Sequence, residues 1–140
     1  CKDVPITRAN DVIFGYTAAN DVSARTAQRG DSTWARGKGF DTSTPLGPFL
    51  ITVDDEEFTP EDAAISCRVN GQVRQDANTS AMVFSIAELI SYVSHVCSLL
   101  PGDVILTGTP AGVGPLHDGD QVSVEIAGIG TLTNPVFRRD

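Results

Sequence analysis

Positive charge is scarce in this sequence. Lys and Arg number 10 against 18 Asp and Glu in 140 residues, a formal charge of −8. A nucleic-acid partner calls for a basic face, and this balance argues against one. Long hydrophobic runs are missing too. None approaches the ~20 apolar residues of a membrane helix, so no membrane partner is expected. Cysteine and histidine are few and scattered. Cys1, Cys67 and Cys97 are odd in number and lack metal-ligand spacing, which argues against zinc. With no secretory pattern at the start, the expectation is a reduced, cytoplasmic protein, a mature secreted chain being the alternative. Two isolated histidines make no catalytic triad, and no Gly-x-Ser-x-Gly elbow exists. The glycine-rich stretch 108–114 is not a P-loop, because no Gly-Lys-Ser/Thr follows. Nor is it a dinucleotide fingerprint: Gly112-Val113-Gly114 runs into Pro115 and no helix.

What is present reads as one domain without repeats, long enough for a core. Residues 1–8 carry no clear element. Residues 12–19, rich in β-branched and aromatic side chains, predict a strand, and 22–28 a short helix. A short strand is expected at 49–53, after the Pro45-Leu46-Gly47-Pro48 turn. Strands at 64–69 and 72–76 flank Asn70-Gly71, a strong type I′ hairpin signal. Ser85-Ile86-Ala87-Glu88 is a capping box opening a helix to about residue 99. Its apolar face holds Ile86, Leu89, Ile90, Val93, Val96, Cys97 and Leu100, and Pro101-Gly102 ends it. His95 reads as a surface or packed histidine. Val104-Ile105-Leu106 makes 103–107 a strand buried on both faces. Residues 121–126 alternate as a half-buried strand, and 129–136 form the last. Trp34 reads as a core aromatic or as a cover over the neighbouring lysine loop. The acidic run Asp54-Asp55-Glu56-Glu57 reads as a solvated loop. The class is α+β with β dominant.

Three stretches carry candidate chemistry. Asn20-Asp21 sits between the first strand and its helix, where an acid can point out of a sheet end. Asp21 is either a helix N-cap or a ligand-binding carboxylate. Lys38 lies between Gly37 and Gly39, as a solvated lysine or as one bent inward by flexible glycines. Thr107-Gly108-Thr109-Pro110 is either a plain turn or a site loop. With soft-metal and nucleophile motifs set aside, a hard, oxygen-ligand site around Asp21 remains, suited to Mg²⁺, Mn²⁺ or Ca²⁺.

In their order these stretches resemble the fumarylacetoacetate hydrolase family. The signature run is Asn20-Asp21-Val22-Ser23-Ala24-Arg25, Gly37-Lys38-Gly39-Phe40 and Pro45-Leu46-Gly47-Pro48. Val69-Asn70-Gly71 through Arg74-Gln75, the stretch 78–85, and Leu106 through Gly114 continue it. The resemblance spans nearly the whole chain and implies a mixed β-sandwich roll, the C-terminal part of a catalytic domain. It places the metal site at Asp21, Lys38 and Thr42, with Asp21 the metal-binding aspartate, and makes Lys38 the catalytic lysine as well. It places substrate contacts at Arg25, Gln28 and Thr109. Thr26 departs from the pattern, since many members carry Asp there. The resemblance also implies a Glu-x-Glu pair and a His-Glu base upstream of Cys1, and a homodimer.

The implied activity is that of a metal-dependent hydrolase or isomerase. Its substrate would be a 2-oxo or acylpyruvate-type dicarboxylic acid able to chelate Mg²⁺ (or Mn²⁺, Ca²⁺) through adjacent oxygens. An enolate stabilised by metal and Lys38 leads to carbon–carbon hydrolysis, to isomerisation of the 2-hydroxyhepta-2,4-diene-1,7-dioate type, or to decarboxylation of oxaloacetate or an acylpyruvate. A non-catalytic binding or assembly domain of the same fold is the competing class.

Overall fold

The computed structural model describes residues 1–138. Its larger sheet contains β3 (Ala64–Val69), β4 (Gln72–Asn78), β5 (Gln121–Ile126) and β6 (Gly130–Pro135), in the order β4-β3-β5-β6 and antiparallel throughout. The β3–β4 turn is the one predicted. Asn70 and Gly71 have φ of 51° and 78°, the left-handed pair that a type I′ turn requires. Alternation on β5 buries Val122 and Val124, and Cys67, Val124 and Leu132 stand side by side across three strands. Ala18, Val124, Ile129 and Leu132 form the buried core here, with Tyr16, Ile51 and Phe58 packed around them. Ala18 and Ile51 come from the second sheet, β1 (Gly15–Ala19) against β2 (Leu46–Thr52). Two antiparallel sheets meeting over an apolar core give the α+β, strand-rich class.

A second core lies under the long helix α3 (Ile86–Val96), where Val4, Ala9 and Ile90 are buried together. The capping box is complete: Glu88 N–H donates to Ser85 Oγ at 3.2 Å, and Ser85 N–H to Glu88 Oε2 at 2.7 Å. The Ser85 backbone N–H and the Ser85 hydroxyl, both donating to Glu88 Oε2 at 2.7 Å, hold the Glu88 carboxyl below its usual range. The helix stops at Val96, short of residue 99, because the chain turns away to pair with the N-terminal segment. Leu99 N–H donates to Cys1 O at 2.9 Å. His95 is exposed, with its ring Nδ1 2.7 Å from Ser91 O. Residues 6–12, expected to hold no element up to the start of a strand at 12, form a 3-10 helix (Ile6–Val12). Its Ala9 is small enough to sit against α3 with no exposed surface.

Two further expectations are corrected. Residues 103–107 form no strand, and Val104 is 53% exposed. Among the described residues, the backbone amides of 104–107 donate to no other backbone carbonyl, so the apolar run has no ladder to join. Trp34 is not a core aromatic: it is 63% exposed, just before the short helix that ends at Lys38. No described helix is long and apolar enough to cross a membrane.

Candidate active site

Asp21 is delivered by the β1–β2 ladder, which continues past the strand ends. Asn20 N–H donates to Pro45 O at 3.1 Å and Val22 N–H to Ser43 O at 2.9 Å, placing Asp21 opposite Thr44. Helix α1 (Arg25–Gly30) begins four residues later, with Ala24 at its N-cap and no side-chain cap, so the capping role considered for Asp21 does not exist. Instead the Asp21 carboxylate pairs with the Lys38 ammonium through Oδ2. Lys38 is the last residue of the one-turn helix α2 (Ala35–Lys38), and its side chain is 29% exposed. It is therefore not a freely solvated loop lysine.

The glycines beside Lys38 act through close approach, not through unusual dihedrals. A Cβ on Gly37 would lie 2.9 Å from Gln28 Cβ and 3.1 Å from the Gln28 backbone. One on Gly39 would lie 2.9 Å from Ala35 O. Gly37 thus lets α1 and α2 touch, and Ala24 N–H donates to Gly37 O at 2.9 Å across the same contact. Ser43 Oγ donates to Lys38 O at 2.7 Å from the other side. Below them, Arg36 grips Asp31 with two hydrogen bonds, Nε to Oδ2 being 2.8 Å, which holds the Asp31 carboxyl below its usual range. Since its folded pKa is lowered, the clamp is in place above about pH 4 and is lost as pH falls further. Gly37→Ala is expected to destabilise the protein by about 1–3 kcal/mol, as overpacking does, read by urea denaturation.

Arg25 and Gln28 share α1. Arg25 Nη1 donates to Gln28 Oε1 at 2.7 Å, leaving the rest of the guanidinium fork without a partner among the described residues. Gln28 is spent on Arg25 and on packing against Gly37. Thr109 lies in the 107–114 loop, which docks on β4. Gln75 Nε2 is 2.7 Å from both Thr109 Oγ1 and Pro110 O. Asp21, Arg25, Lys38, Gln75 and Thr109 all border one broad, open concavity that also takes in much of both sheets, whereas Gln28 and Thr42 do not. Thr42 is exposed at φ 66°, an uncommon backbone for a β-branched residue.

The order of these residues and the architecture carrying them have a known counterpart. The family model of the fumarylacetoacetate hydrolase C-terminal region matches residues 1–137. The chain belongs to the fumarylacetoacetate hydrolase family. A 5-carboxymethyl-2-hydroxymuconate delta-isomerase structure from Mycobacterium smegmatis is 55% identical, with a TM-score of 0.94 over 100% of this chain and 54% of that one. The fumarylpyruvate hydrolase of Pseudomonas aeruginosa, solved with Mn²⁺ and pyruvate, is 34% identical with a TM-score of 0.89 over 99% of this chain and 60% of that one. The mitochondrial oxaloacetate tautomerase FAHD2A of Bos taurus is 46% identical over 144 residues, 96% of this chain and 46% of that protein. The chain spans about half the length of the curated relatives it matches.

In this member of the family, the oxygen donors near Lys38 bear on whether a divalent cation fits. Asp21 Oδ2 is taken by Lys38, while Oδ1 accepts no hydrogen bond from the described residues. Such an oxygen suits a hard cation. No group of three or more His, Cys, Asp or Glu gathers around one point among the described residues. Asp21 therefore fits as one ligand of a shell needing other oxygens. Lys38 has no lone pair to offer while its ammonium is charged, so its place is beside a cation's ligand and not on the cation. Sequence reasoning gave no role to Gln75, Asp31, Arg36 or Ser43. Gln75 stood within the family run, but a role for it needed the loop's position in space.

Proposed function

We propose that the protein carrying this chain is a divalent-cation-dependent enzyme acting on a 2-oxo, acylpyruvate-type dicarboxylic acid through an enolate. Carbon–carbon hydrolysis or isomerisation of the 2-hydroxyhepta-2,4-diene-1,7-dioate type would follow. The observation that carries this reading is the Asp21–Lys38 pair, fixed by Gly37 and Ser43 at a cavity that Arg25 and Thr109 also line. Support comes from the names of the relatives. An isomerase, a hydrolase and a tautomerase all handle acids whose reaction can pass through an enol or enolate.

Each residue has a physical task. Arg25 presents its unbonded guanidinium edge, suited to gripping a carboxylate with two parallel hydrogen bonds. Lys38 holds a compact positive charge where negative charge grows on the substrate's oxo oxygen. Asp21 fixes the direction of that ammonium and offers Oδ1 to a cation. Thr109 contributes a hydroxyl at the cavity wall. A bound Mg²⁺ or Mn²⁺ would supply Lewis acidity at the same oxygen.

Hydrolysis, isomerisation, tautomerisation and decarboxylation share the enolate, so the test reads that step directly. The complete protein, given Mg²⁺ or Mn²⁺ and a 2-oxo dicarboxylic acid in D₂O, is expected to exchange the C3 protons faster than buffer with the same metal. Chelating the metal should return exchange to background. Background exchange across a panel of such acids would point to the competing class, a binding or assembly domain.

A further inference from the structure

Gln75 owes its direction to an irregularity in β4. Val73 pairs with Arg68 and Gln75 with Cys67, so Arg74 has no partner across the ladder. This is a β-bulge, and the extra residue resets the alternation of side chains. Without it Arg74 would stand opposite Cys67; with it Gln75 does. The loop 107–114 meets β4 at this point. A Cβ on Gly112, whose φ is +109°, would fall 1.9 Å from Arg74 O and 3.2 Å from Gln75 Cγ, so only glycine allows the approach.

The chemistry of the two Gln75 bonds sets their direction. Pro110 O can only accept, so the Gln75 atom 2.7 Å away must be the amide nitrogen. The same nitrogen then gives its second N–H to Thr109 Oγ1, also at 2.7 Å. A hydroxyl that accepts one bond keeps its proton for another acceptor, and among the described residues Thr109 Oγ1 donates to none.

We infer that Gln75 is a positioning residue that turns the Thr109 hydroxyl proton away from itself, leaving that hydroxyl to donate to a carboxylate oxygen of the substrate. This rests on the reading of Thr109 as a substrate contact, and it deepens that reading by naming the group the contact selects. The bulge at Arg74 aims Gln75, Gly112 admits the loop, and the amide orients the hydroxyl.

A double-mutant cycle in the complete protein tests this, with steady-state kinetics on a 2-oxo dicarboxylic acid. Gln75→Met keeps the length and removes both donors. KM should rise about tenfold, the scale of a weakened hydrogen bond to a charged group, while kcat changes much less. Thr109→Val should raise KM by a similar factor, Thr109→Ser should stay near the parent, and Gln75→Met should add less than about twofold on top of Thr109→Val. Equal effects of Gln75→Met in the parent and in the Thr109→Val variant would mean a general packing role and overturn the inference. Unchanged KM in Thr109→Val would remove the substrate-contact reading itself. A Thr109→Val defect beside a parent-like Gln75→Met enzyme would remove Gln75 alone. Should Gln75→Met fail to fold, Gln75→Glu runs the same cycle. Its carboxylate takes the Thr109 proton and reverses the polarity, so its cost must again shrink in the Thr109→Val background.

Discussion

Replacing Lys38 with Met is expected to lower turnover of a 2-oxo dicarboxylic acid about a hundredfold, the scale of a removed oxyanion donor, with a much smaller rise in KM. The asymmetry follows from when the charge is met. A ground-state ketone oxygen is only weakly negative, so the ammonium gains most as the enolate forms. The residue is well placed for this task. Its backbone is tied at Gly37 O by Ala24 and at Lys38 O by Ser43, and its side chain is aimed by Asp21. Neither backbone tie depends on the ammonium, so Met at this position should leave α2 where it is. Lys38→Arg should rescue little, since a planar fork cannot put its charge at the same point. The pairing of Arg36 with Asp31 shows how differently a guanidinium two residues away engages a carboxylate. Circular dichroism and urea midpoints close to the parent would establish that both variants are folded. Near-normal turnover in folded Lys38→Met would leave the catalytic assignment without support.

The parts of this fold that were legible in the sequence are those whose cause is local. Strand β3, the Asn70-Gly71 turn and β5 follow from alternation and from a backbone that only certain residues adopt. The Ser85–Glu88 capping box is likewise written within four residues. Residues 103–107 show the limit of such reading. Three apolar side chains in a row state a demand for cover, but not whether a neighbouring strand lies in the same chain. The Ile6–Val12 helix was hidden because its existence depends on Ala9 meeting α3, far away in sequence. At the site, Asp21 and Lys38 were visible as residue types, while their ion pair was not. It depends on the β1–β2 ladder running on through Val22 and Ser43. In the sequence Gly37 suggests freedom of backbone, yet its function is to have no side chain where Gln28 packs. The bulge at Arg74 left no trace in the sequence, since nothing in Val73-Arg74-Gln75 states which residue is the extra one.

Asp21→Asn is expected to abolish metal-dependent turnover in the complete protein while leaving its folding almost intact. The two effects separate because the carboxylate's contributions to structure and to chemistry differ in kind. As half of a partly exposed ion pair it stabilises the fold by no more than about 1 kcal/mol. Asn keeps the shape, and its amide oxygen can still accept from Lys38. What disappears is the negative charge, and with it the charged oxygen that Oδ1 offers to a hard cation. Ligand charge is a main determinant of affinity at oxygen sites, so calorimetric titration with Mg²⁺ or Mn²⁺ should show binding weakened by about tenfold or more. The calorimetric reading does not depend on catalysis, which makes it the sharper of the two. Unchanged affinity would rule out Asp21 as a ligand, and a turnover defect that persisted would then have to pass through Lys38. Combining Asp21→Asn with Lys38→Met distinguishes the routes. If Asp21 acts only by aiming the ammonium, the double variant should be no slower than Lys38→Met alone. If Asp21 also holds the cation, removing it should cost further activity, and weaker metal binding should appear whether residue 38 is Lys or Met.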